Sequence, residues 1–332
     1  MASLELMTRS FKQSTIAPLN PGFRGPVAIS PDLARIAYRR ERLPHVFDVY
    51  LQEGESERLV HKGALEESAI DVAFSPDGRT LVLRTTDDNA RRRVLTIACD
   101  DGGPSPLARS RRATAHAWAA GALVVFDSTE GTLIEVDARG GESTLAKIED
   151  DGSNLVRPML TASTNGARLA LTTHSMSTDN TPVWVIDRPG GAKVFTTVIG
   201  FEARVNPLLS RDGRDLALQI VHPFHRRSAI IAHYDLKGGG EVAYTQDRLD
   251  GTDTPAWSPD GRTIAFMHTA EAAAAQSGPA ALTLLDLESR KLTALGEPGA
   301  FNGRARFVDD STLVVEAHDG AHAFRFDPTE QA

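Results

Sequence analysis

Short apolar segments separated by tight polar turns repeat along the whole sequence. The clearest case is segment 256–267, in which two apolar runs flank the turn Ser258-Pro259-Asp260-Gly261. In such a turn proline pre-sets φ, aspartate caps the local backbone and glycine tolerates a positive φ. The pattern therefore predicts two antiparallel strands joined by a tight turn, which is a β-hairpin.

This hairpin recurs at a nearly constant period. When the repeats are aligned on the first apolar residue after each turn, successive repeats are 45, 42, 46, 47, 48 and 49 residues apart. The aligned residues are Ile36, Leu81, Leu123, Leu169, Leu216, Ile264 and Leu313. Three of the turns are nearly identical and four are degenerate, yet seven steps of similar length indicate a repeat architecture.

A second signature follows the hairpin within a repeat. An apolar strand ends in Asp and a Gly-rich turn, and a short strand follows, as in segments 133–141 and 183–191. Each repeat therefore contains four strands, which we label A to D in chain order. Four antiparallel strands in about 40–45 residues are typical of one blade of a β-propeller. The sequence predicts an all-β, seven-bladed propeller of four-stranded antiparallel blades, with six blades as the alternative.

The last repeat is incomplete. Segments 305–307, 312–317 and 321–326 supply its strands A, B and C, and the sequence then stops without a D strand. Segment 10–16 near the N-terminus can form a strand that no repeat uses. We expect this N-terminal strand to become the outer strand of the last blade, because it would close the ring and cover an open sheet edge.

The hairpins also carry a family resemblance. Segments 73–83 and 256–266 match nearly in full the pattern (W/F)-S-P-D-G-(R/K)-x-(I/L)-(A/V)-(F/Y), and segments 28–38 and 208–218 match it in part. This pattern resembles that of the TolB-type, WD-repeat-like β-propeller family over almost the whole chain. The resemblance implies the fold but leaves the function open, because such propellers serve as binding platforms, peptidase gates and occasional enzymes.

The repeats leave no sign of a second domain. We predict a single β-propeller domain over residues 1–332, in which 1–24 hold the closing strand and a lead-in and 25–332 hold the seven repeats. The related prolyl-oligopeptidase-like peptidases join such a propeller to an α/β-hydrolase domain. The sequence contains no Gly-x-Ser-x-Gly motif and leaves no length for that domain, which argues against a peptidase.

Composition narrows the classes of partner. The chain has 36 Lys and Arg against 44 Asp and Glu, a net charge of -8, which argues against nucleic acid and against an anionic membrane surface as partners. Its one cysteine, Cys99, permits neither an intrachain disulfide nor a thiolate metal cluster. No segment reaches the roughly 20 apolar residues of a membrane span, and no signal-peptide pattern is present, so a cytoplasmic protein is expected.

Propeller geometry predicts where a site would lie. The connections between blades and the B–C loops gather on one face, here called the loop face, whereas the short A–B and C–D turns gather on the opposite turn face. Irregular loops on a rigid frame are the usual location of binding sites. We therefore expect function at the loop face and a scaffold role for the turn face.

Several charged residues are expected at the mouth of the central channel on the loop face. Arginines at or just before A strands would form a cationic ring that suits carboxylate or phosphate groups. The predicted ligand-binding residues are Arg24, Arg157, Arg204, Arg304, Asp253 and His268. In the alternative interpretation these arginines form solvated ion pairs with Glu66, Glu202, Asp250 and Asp253.

Histidines provide the candidate chemistry. His222 and His225 lie in the loop after the B strand of the fifth repeat, with His174 and His268 in the neighbouring repeats. Three of them, His174, His222 and His225, are candidate catalytic residues, and the cluster could bind a divalent metal. Alternatively they are exposed loop histidines without a ligand. No other cofactor is evident.

Two functions remain open at this point. The first is a binding platform for a protein or for an anionic or polar small ligand at the loop face. The alternative is an enzyme, a lyase, hydrolase or cyclase of a specialised pathway, with a His/Arg site that a metal could assist. The three tryptophans, Trp118, Trp184 and Trp257, fall on strands at core spacing and are predicted to pack between blades.

Overall fold

The computed structural model describes most of the chain. The described residues are 12–18, 23–44, 46–63, 67–87, 92–100, 104–106, 113–137, 140–148, 155–175, 180–200, 204–221, 229–238, 241–246, 255–268, 281–295, 305–309, 312–317 and 320–325. Within them the chain forms strands and turns, and no helix there has the length and apolar character needed to cross a membrane.

The strands form seven four-stranded antiparallel sheets, one for each predicted blade. Strand β1 (Lys12–Pro18) precedes the first blade. Blade 1 consists of β2 (Phe23–Ile29), β3 (Arg35–Leu43), β4 (Val46–Glu53) and β5 (Ser56–His61). Blade 2 consists of β6 (Glu67–Phe74), β7 (Thr80–Asp87), β8 (Arg92–Ala98) and β9 (Pro104–Pro106). Blade 3 consists of β10 (Ala113–Ala119), β11 (Ala122–Asp127), β12 (Thr132–Val136) and β13 (Glu142–Lys147).

The remaining blades repeat this order. Blade 4 consists of β14 (Leu155–Ala162), β15 (Arg168–Ser175), β16 (Thr181–Asp187) and β17 (Lys193–Ile199). Blade 5 consists of β18 (Arg204–Leu209), β19 (Asp215–Val221), β20 (Ala229–Asp235) and β21 (Glu241–Gln246). Blade 6 consists of β22 (Ala256–Trp257), β23 (Thr263–His268), β24 (Ala281–Asp286) and β25 (Leu292–Leu295). Blade 7 contains β26 (Ala305–Asp309), β27 (Thr312–Ala317) and β28 (Gly320–Arg325).

Each blade packs against the next through its inner strands, and the series returns to its beginning. The A strands of blades 3 to 7 contact one another in order, blade 1 contacts blade 2 in the same way, and β27 of blade 7 contacts β2 of blade 1. Seven apolar clusters fill the seven seams between neighbouring blades. The tryptophans lie in three of these clusters, which confirms their predicted packing role.

The N-terminal strand closes the ring, as predicted. β1 pairs antiparallel with β28 and is the outer strand of blade 7, with Lys12 opposite Arg325 and Pro18 opposite Gly320. It begins two residues later than the expected segment 10–16. A second link on the inner side joins the same two blades, because the Arg306 guanidinium donates to the carbonyl oxygen of Ser30 at 2.9 Å.

Five of the A–B turns share one hydrogen-bond network, which explains why the Ser-Pro-Asp-Gly pattern recurs. In blade 2 the Ser75 hydroxyl donates to the Asp77 carboxylate at 2.5 Å and accepts the backbone N–H of Thr80 at 2.9 Å. The Asp77 carboxylate also accepts the N–H of Arg79. The same network is built on Ser30, Ser163, Ser210 and Ser258. The network thus fixes the conformation of the turn that immediately precedes strand B.

We predict that Ser75→Ala lowers the free energy of unfolding at pH 7 by about 1–2 kcal/mol, because two hydrogen bonds are lost. The Ser75 hydroxyl is the main reason that the pKa of Asp77 lies below its ordinary value. A carboxylate with a depressed pKa stabilises the fold above its unfolded pKa, and this stabilisation is lost as the pH falls through the folded pKa. The difference between variant and wild type should therefore shrink below about pH 4 in urea titrations.

Ser289→Ala supplies the control for this prediction. The Ser289 hydroxyl also donates to an aspartate, Asp286, at 2.7 Å, but in an exposed C–D turn. We expect less than about 0.5 kcal/mol for this change, since exposed substitutions rarely alter stability more. An equal effect of the two substitutions would contradict the structural role assigned to the buried turn serines.

Candidate functional site

The B strands change character along their length. Immediately after the turn each begins with apolar residues that are buried, as in segments 36–38, 81–83, 169–171 and 216–218. The next position, nearer the loop face, is polar in these four blades, where it is occupied by Arg39, Arg84, Thr172 and Gln219. In these four blades the turn-side half of the B strand is thus part of an ordinary apolar core, whereas the loop-side half contains polar groups.

In blade 4 the polar part of the B strand consists of Thr172, Thr173 and His174, all of which are buried. The Thr172 hydroxyl donates to the carbonyl oxygen of Val205 in blade 5 at 2.9 Å. The Thr173 hydroxyl and the Nδ1 atom of His174, which is only 4% exposed, have no hydrogen-bond partner among the residues that the structure describes. Two polar atoms at the loop-side end of this strand are therefore buried without a hydrogen-bond partner from the described residues.

Blade 5 contains a buried amide pair. Asn206 and Gln219 stand opposite each other on strands A and B, and the Asn206 side-chain amide donates to the Gln219 side-chain oxygen at 2.7 Å. Both side chains are buried, with exposed fractions of 0% and 1%. Because residues alternate along a strand, both project on the same side as Leu208 and Ala217, which pack against blade 6.

The amide pair uses only two of its four polar side-chain atoms in hydrogen bonds. Within the described part of the chain, the Oδ1 atom of Asn206 and the Nε2 atom of Gln219 are buried without a partner. A buried donor or acceptor without a partner costs about 1–3 kcal/mol. Native proteins rarely keep such atoms without a reason, and functional sites are one of these reasons. The pair leaves one acceptor and one donor side by side.

The two neighbouring threonines of blade 4 test whether these atoms destabilise the fold. Thr173→Val removes a buried hydroxyl that has no partner, so we predict that the free energy of unfolding rises by about 1 kcal/mol. Thr172→Val removes a hydroxyl that is hydrogen-bonded, so the same substitution one residue earlier should lower it by about 1 kcal/mol. Chemical denaturation measures both values, and a loss of stability in both variants would contradict this assignment.

Arginines on the loop side of the described blades are paired. Arg40 contacts Glu57 at 2.8 Å and Arg42 contacts Asp48 at 3.0 Å within blade 1. In blade 2 the Arg84 guanidinium lies 3.7 Å from the Asp71 carboxylate and donates to the carbonyl oxygen of Thr114 in blade 3. These three arginines therefore stabilise the blades and their seams and are not free to bind an anion.

Apart from His174, whose side chain is described above, the predicted site residues fall into two groups. Four lie in strands: Arg24 in β2, Arg157 in β14, Arg204 in β18 and His268 at the end of β23. For all four only the backbone is described. Four others, His222, His225, Asp253 and Arg304, lie outside the described residues. The ligand-binding role of the arginine ring and the catalytic role of the histidine cluster remain predictions.

The strand register does bring three of the predicted residues to one region. His174 is paired with Val156, next to Arg157, on blade 4, and Arg204 begins the adjoining A strand of blade 5, which contacts both β14 and β15. All three lie at the loop-side ends of their strands. The amide pair of blade 5 begins two residues further along from Arg204. Blades 4 and 5 therefore concentrate the candidate groups.

His174 is the one candidate catalytic residue whose side chain the structure describes. A general base is normally held in one orientation by a hydrogen bond to its second ring nitrogen, and Nδ1 of His174 has no such partner. No group of three His, Cys, Asp or Glu side chains suited to a metal ion occurs in the part of the chain that the structure describes. The described region contains buried polar side chains that could still form hydrogen bonds.

The amide pair was not foreseen from the sequence. Its signal is an asparagine and a glutamine inside otherwise apolar strands, in segments 204–209 and 215–221. Only the cross-strand register shows that the two side chains meet.

Comparisons with known proteins are informative about the fold. No protein-family model matches the sequence, and no curated protein matches it. The chain is similar to a chain in the crystal structure of the mitotic checkpoint complex, with a TM-score of 0.67 and 17% identity over 98% of this chain and 96% of that one. It is also similar to the β-propeller domain of Cps50 (Swd1) from Myceliophteria thermophila, with a TM-score of 0.58 and 14% identity over 93% and 98% of the two chains.

TolB from Acinetobacter baumannii is a third similar structure, with a TM-score of 0.48 and 16% identity over 82% of this chain and 64% of that one. At such identities structural likeness establishes a fold and leaves activity open. Seven four-stranded sheets, an N-terminal closing strand and the likeness to a known β-propeller domain confirm the predicted architecture. The fold that the hairpin turns predicted is thus confirmed, and the chain is a seven-bladed β-propeller.

Proposed function

We propose that this propeller is a non-catalytic binding platform that holds a protein partner at the loop face of blades 4 and 5. The observation that carries the proposal is the set of buried, unpartnered polar atoms at the loop-side ends of these blades, on His174, Asn206 and Gln219. A protein without a ligand at this face would gain stability by extending its apolar core there. The polar atoms are therefore best explained by a ligand that enters from the loop face.

The chemistry of the amide pair favours a protein ligand. Asn206 has an unpaired acceptor and Gln219 an unpaired donor next to each other, and a peptide group carries the complementary donor and acceptor. Because both atoms are buried in the unbound protein, the partner would have to displace the side chains that cover them. One of the similar structures belongs to an assembly, the mitotic checkpoint complex, which agrees with a platform role. An anionic small ligand would depend instead on Arg157 and Arg204, whose backbones border the same region.

Site-specific photo-crosslinking tests the proposal. A benzophenone amino acid is placed at Glu130, an exposed residue in the B–C turn of blade 3 on the loop face, or at Glu288, an exposed residue in a C–D turn on the turn face. Irradiation in the native cells should give a discrete protein adduct from position 130 and none from position 288. Adducts from position 288 alone would overturn the proposal.

A second variant links any adduct to the amide pair. Asn206→Leu with Gln219→Met replaces both amides by apolar side chains of similar size and should abolish the adduct at position 130 while the protein stays folded. An undiminished adduct in this variant would show that the partner binds the loop face without using these groups. The circular dichroism spectrum serves as the control for folding.

A further inference from the structure

The outer strand of blade 4 is an open sheet edge with apolar side chains on its surface. β17 is the last strand of its sheet, so within the described part of the chain one of its sides pairs with β16 and the other pairs with no strand. The described residues include four exposed large apolar side chains, and two of them lie on β17: Val194 is 39% exposed and Val198 is 54% exposed. Unpaired backbone groups beside apolar side chains form a template for another strand.

Other outer strands carry features that discourage such pairing. β5 exposes the charge of Arg58, and β13 exposes that of Lys147. β9 has three residues, of which two are prolines, and β25 has four residues whose side chains are buried. In β17 the only charged residue is Lys193, at the first position of the strand. Because short length, charges and prolines all protect an edge from pairing, β17 is the least protected of these five edges.

The exposed face of β17 is symmetric about Thr196. From Val194 onwards exposed and half-buried residues alternate, so Val194, Thr196 and Val198 share one face. The residues between them, Phe195 and Ile199 among them, pack on the cluster between blades 4 and 5. When two copies of the strand pair antiparallel with Thr196 opposite Thr196, each Val194 stands opposite a Val198. Cross-strand pairs of threonines and of β-branched apolar residues stabilise a sheet.

The distribution of charge favours a second copy of this chain as the strand that pairs with β17. The exposed face holds no charged residue, so a partner selected by charge has nothing to recognise there, and two copies bring no like charges together on it. In the antiparallel register Lys193 of one copy stands opposite Ile199 of the other, away from the second Lys193. A two-fold dimer uses the same patch on both copies, and this strand supplies a self-complementary one.

We propose that β17 is a self-association edge, through which two copies of the propeller join blade 4 to blade 4 in one eight-stranded sheet. Because β17 runs from the turn face to the loop face, antiparallel pairing points the two loop faces in opposite directions. Both loop faces stay open to a protein partner, so this edge is independent of the loop-face platform. Only seven residues of each copy take part, fewer than the roughly 20–30 of a stable interface, so we expect a weak, concentration-dependent dimer.

Sedimentation velocity of the full chain over a range of concentrations tests the proposal. Wild type should show a monomer–dimer equilibrium that strengthens as salt is added, because salt screens the repulsion between two chains of net charge -8. Thr196→Lys places two like charges opposite each other and should raise the dimer dissociation constant about tenfold. Thr144→Lys changes another exposed threonine, on the outer strand β13, and should leave the constant unchanged. Circular dichroism checks that both variants fold.

An introduced cysteine tests the register. Residues directly opposite each other in an antiparallel pair have Cα atoms about 4.5–5.5 Å apart, which is within the span of a disulfide. Thr196→Cys should therefore give a disulfide-linked dimer when diamide oxidises the two thiols, whereas Thr144→Cys should not. The native Cys99 is buried and does not compete.

Three results would overturn the proposal. The first is a wild type that stays monomeric while Thr196→Cys gives no more linked dimer than Thr144→Cys does. The second is a dimer that Thr196→Lys leaves intact, which would place the contact on another surface. The third is a benzophenone amino acid at position 196 that links only to a different protein in the native cells. None of these results bears on the loop-face crosslink at position 130, and a failed crosslink there leaves the β17 edge untouched.

Discussion

Replacing Gly191 by alanine is expected to lower the free energy of unfolding by about 3–5 kcal/mol. Gly191 lies in the C–D turn of blade 4 with φ of +69°, a conformation that costs other residues about 1–2 kcal/mol. An added Cβ would also overlap the carbonyl oxygen of Leu145, on the outer strand of blade 3. Because that atom belongs to a backbone, the two blades would have to separate locally.

Gly140→Ala is the matched control for this substitution. Gly140 occupies the corresponding turn of blade 3 with φ of +78°, but nothing lies within 4 Å of the position of its Cβ. We expect only the backbone contribution there, about 1–2 kcal/mol. Urea denaturation of both variants separates strain within a turn from contact between blades. Equal losses in the two variants would mean that the outer turns do not help to hold neighbouring blades together.

Deleting residues 1–18 is expected to have an effect of similar size, about 3–5 kcal/mol. The deletion removes all of β1, so blade 7 loses its outer strand and β28 becomes an unpaired edge. The loss is comparable to that of deleting one or two core side chains. The bare edge also exposes backbone donors and acceptors to other chains. We therefore expect a lower unfolding midpoint and concentration-dependent association, measured by denaturation and by light scattering.

A shorter deletion controls for the loss of chain length. Removing residues 1–11 retains every residue of β1, so the pairing of Lys12 with Arg325 and of Pro18 with Gly320 is preserved. The stability of this variant should equal that of the full chain. If both deletions behave like wild type, the N-terminal strand does not hold the ring closed.

The architecture could be predicted because it depends on local patterns that recur. The Ser-Pro-Asp-Gly turns fix the hairpins through a network within six residues, so each repeat specifies its own turn. Blade 1 shows that the network tolerates variation, since Leu33 takes a positive φ of 62° where blade 2 has Gly78. The closing strand was predictable because the last repeat lacked a D strand, and the strand-forming segment near the N-terminus belonged to no repeat.

Strand ends were predicted less well where the chain departs from the repeat. The first A strand starts at Phe23, earlier than the lead-in boundary at 24 that the repeats suggested. Its pairing with β3 is irregular between Phe23 and Val27. Pro26 lies within this stretch and has no N–H to donate to a neighbouring strand, which accounts for the irregularity.

The sites could be predicted only in part, because they depend on contacts between blades. The sequence pointed to the loop face as a whole, with candidates in most blades, and it missed Asn206 and Gln219 of blade 5. Whether a polar side chain in a strand finds a partner is decided by register and by the neighbouring blade.

The most direct test of the account is the stability of the Asn206→Leu, Gln219→Met double variant. We propose that the amide pair is kept for binding at a cost to the fold, because Asn206 Oδ1 and Gln219 Nε2 are buried without partners among the described residues. Apolar side chains at both positions would extend the cluster formed by Leu208 and Ala217. We predict that the free energy of unfolding rises by about 1–3 kcal/mol in urea denaturation. A decrease of that size would contradict the account, because it would mean that the pair stabilises the blade.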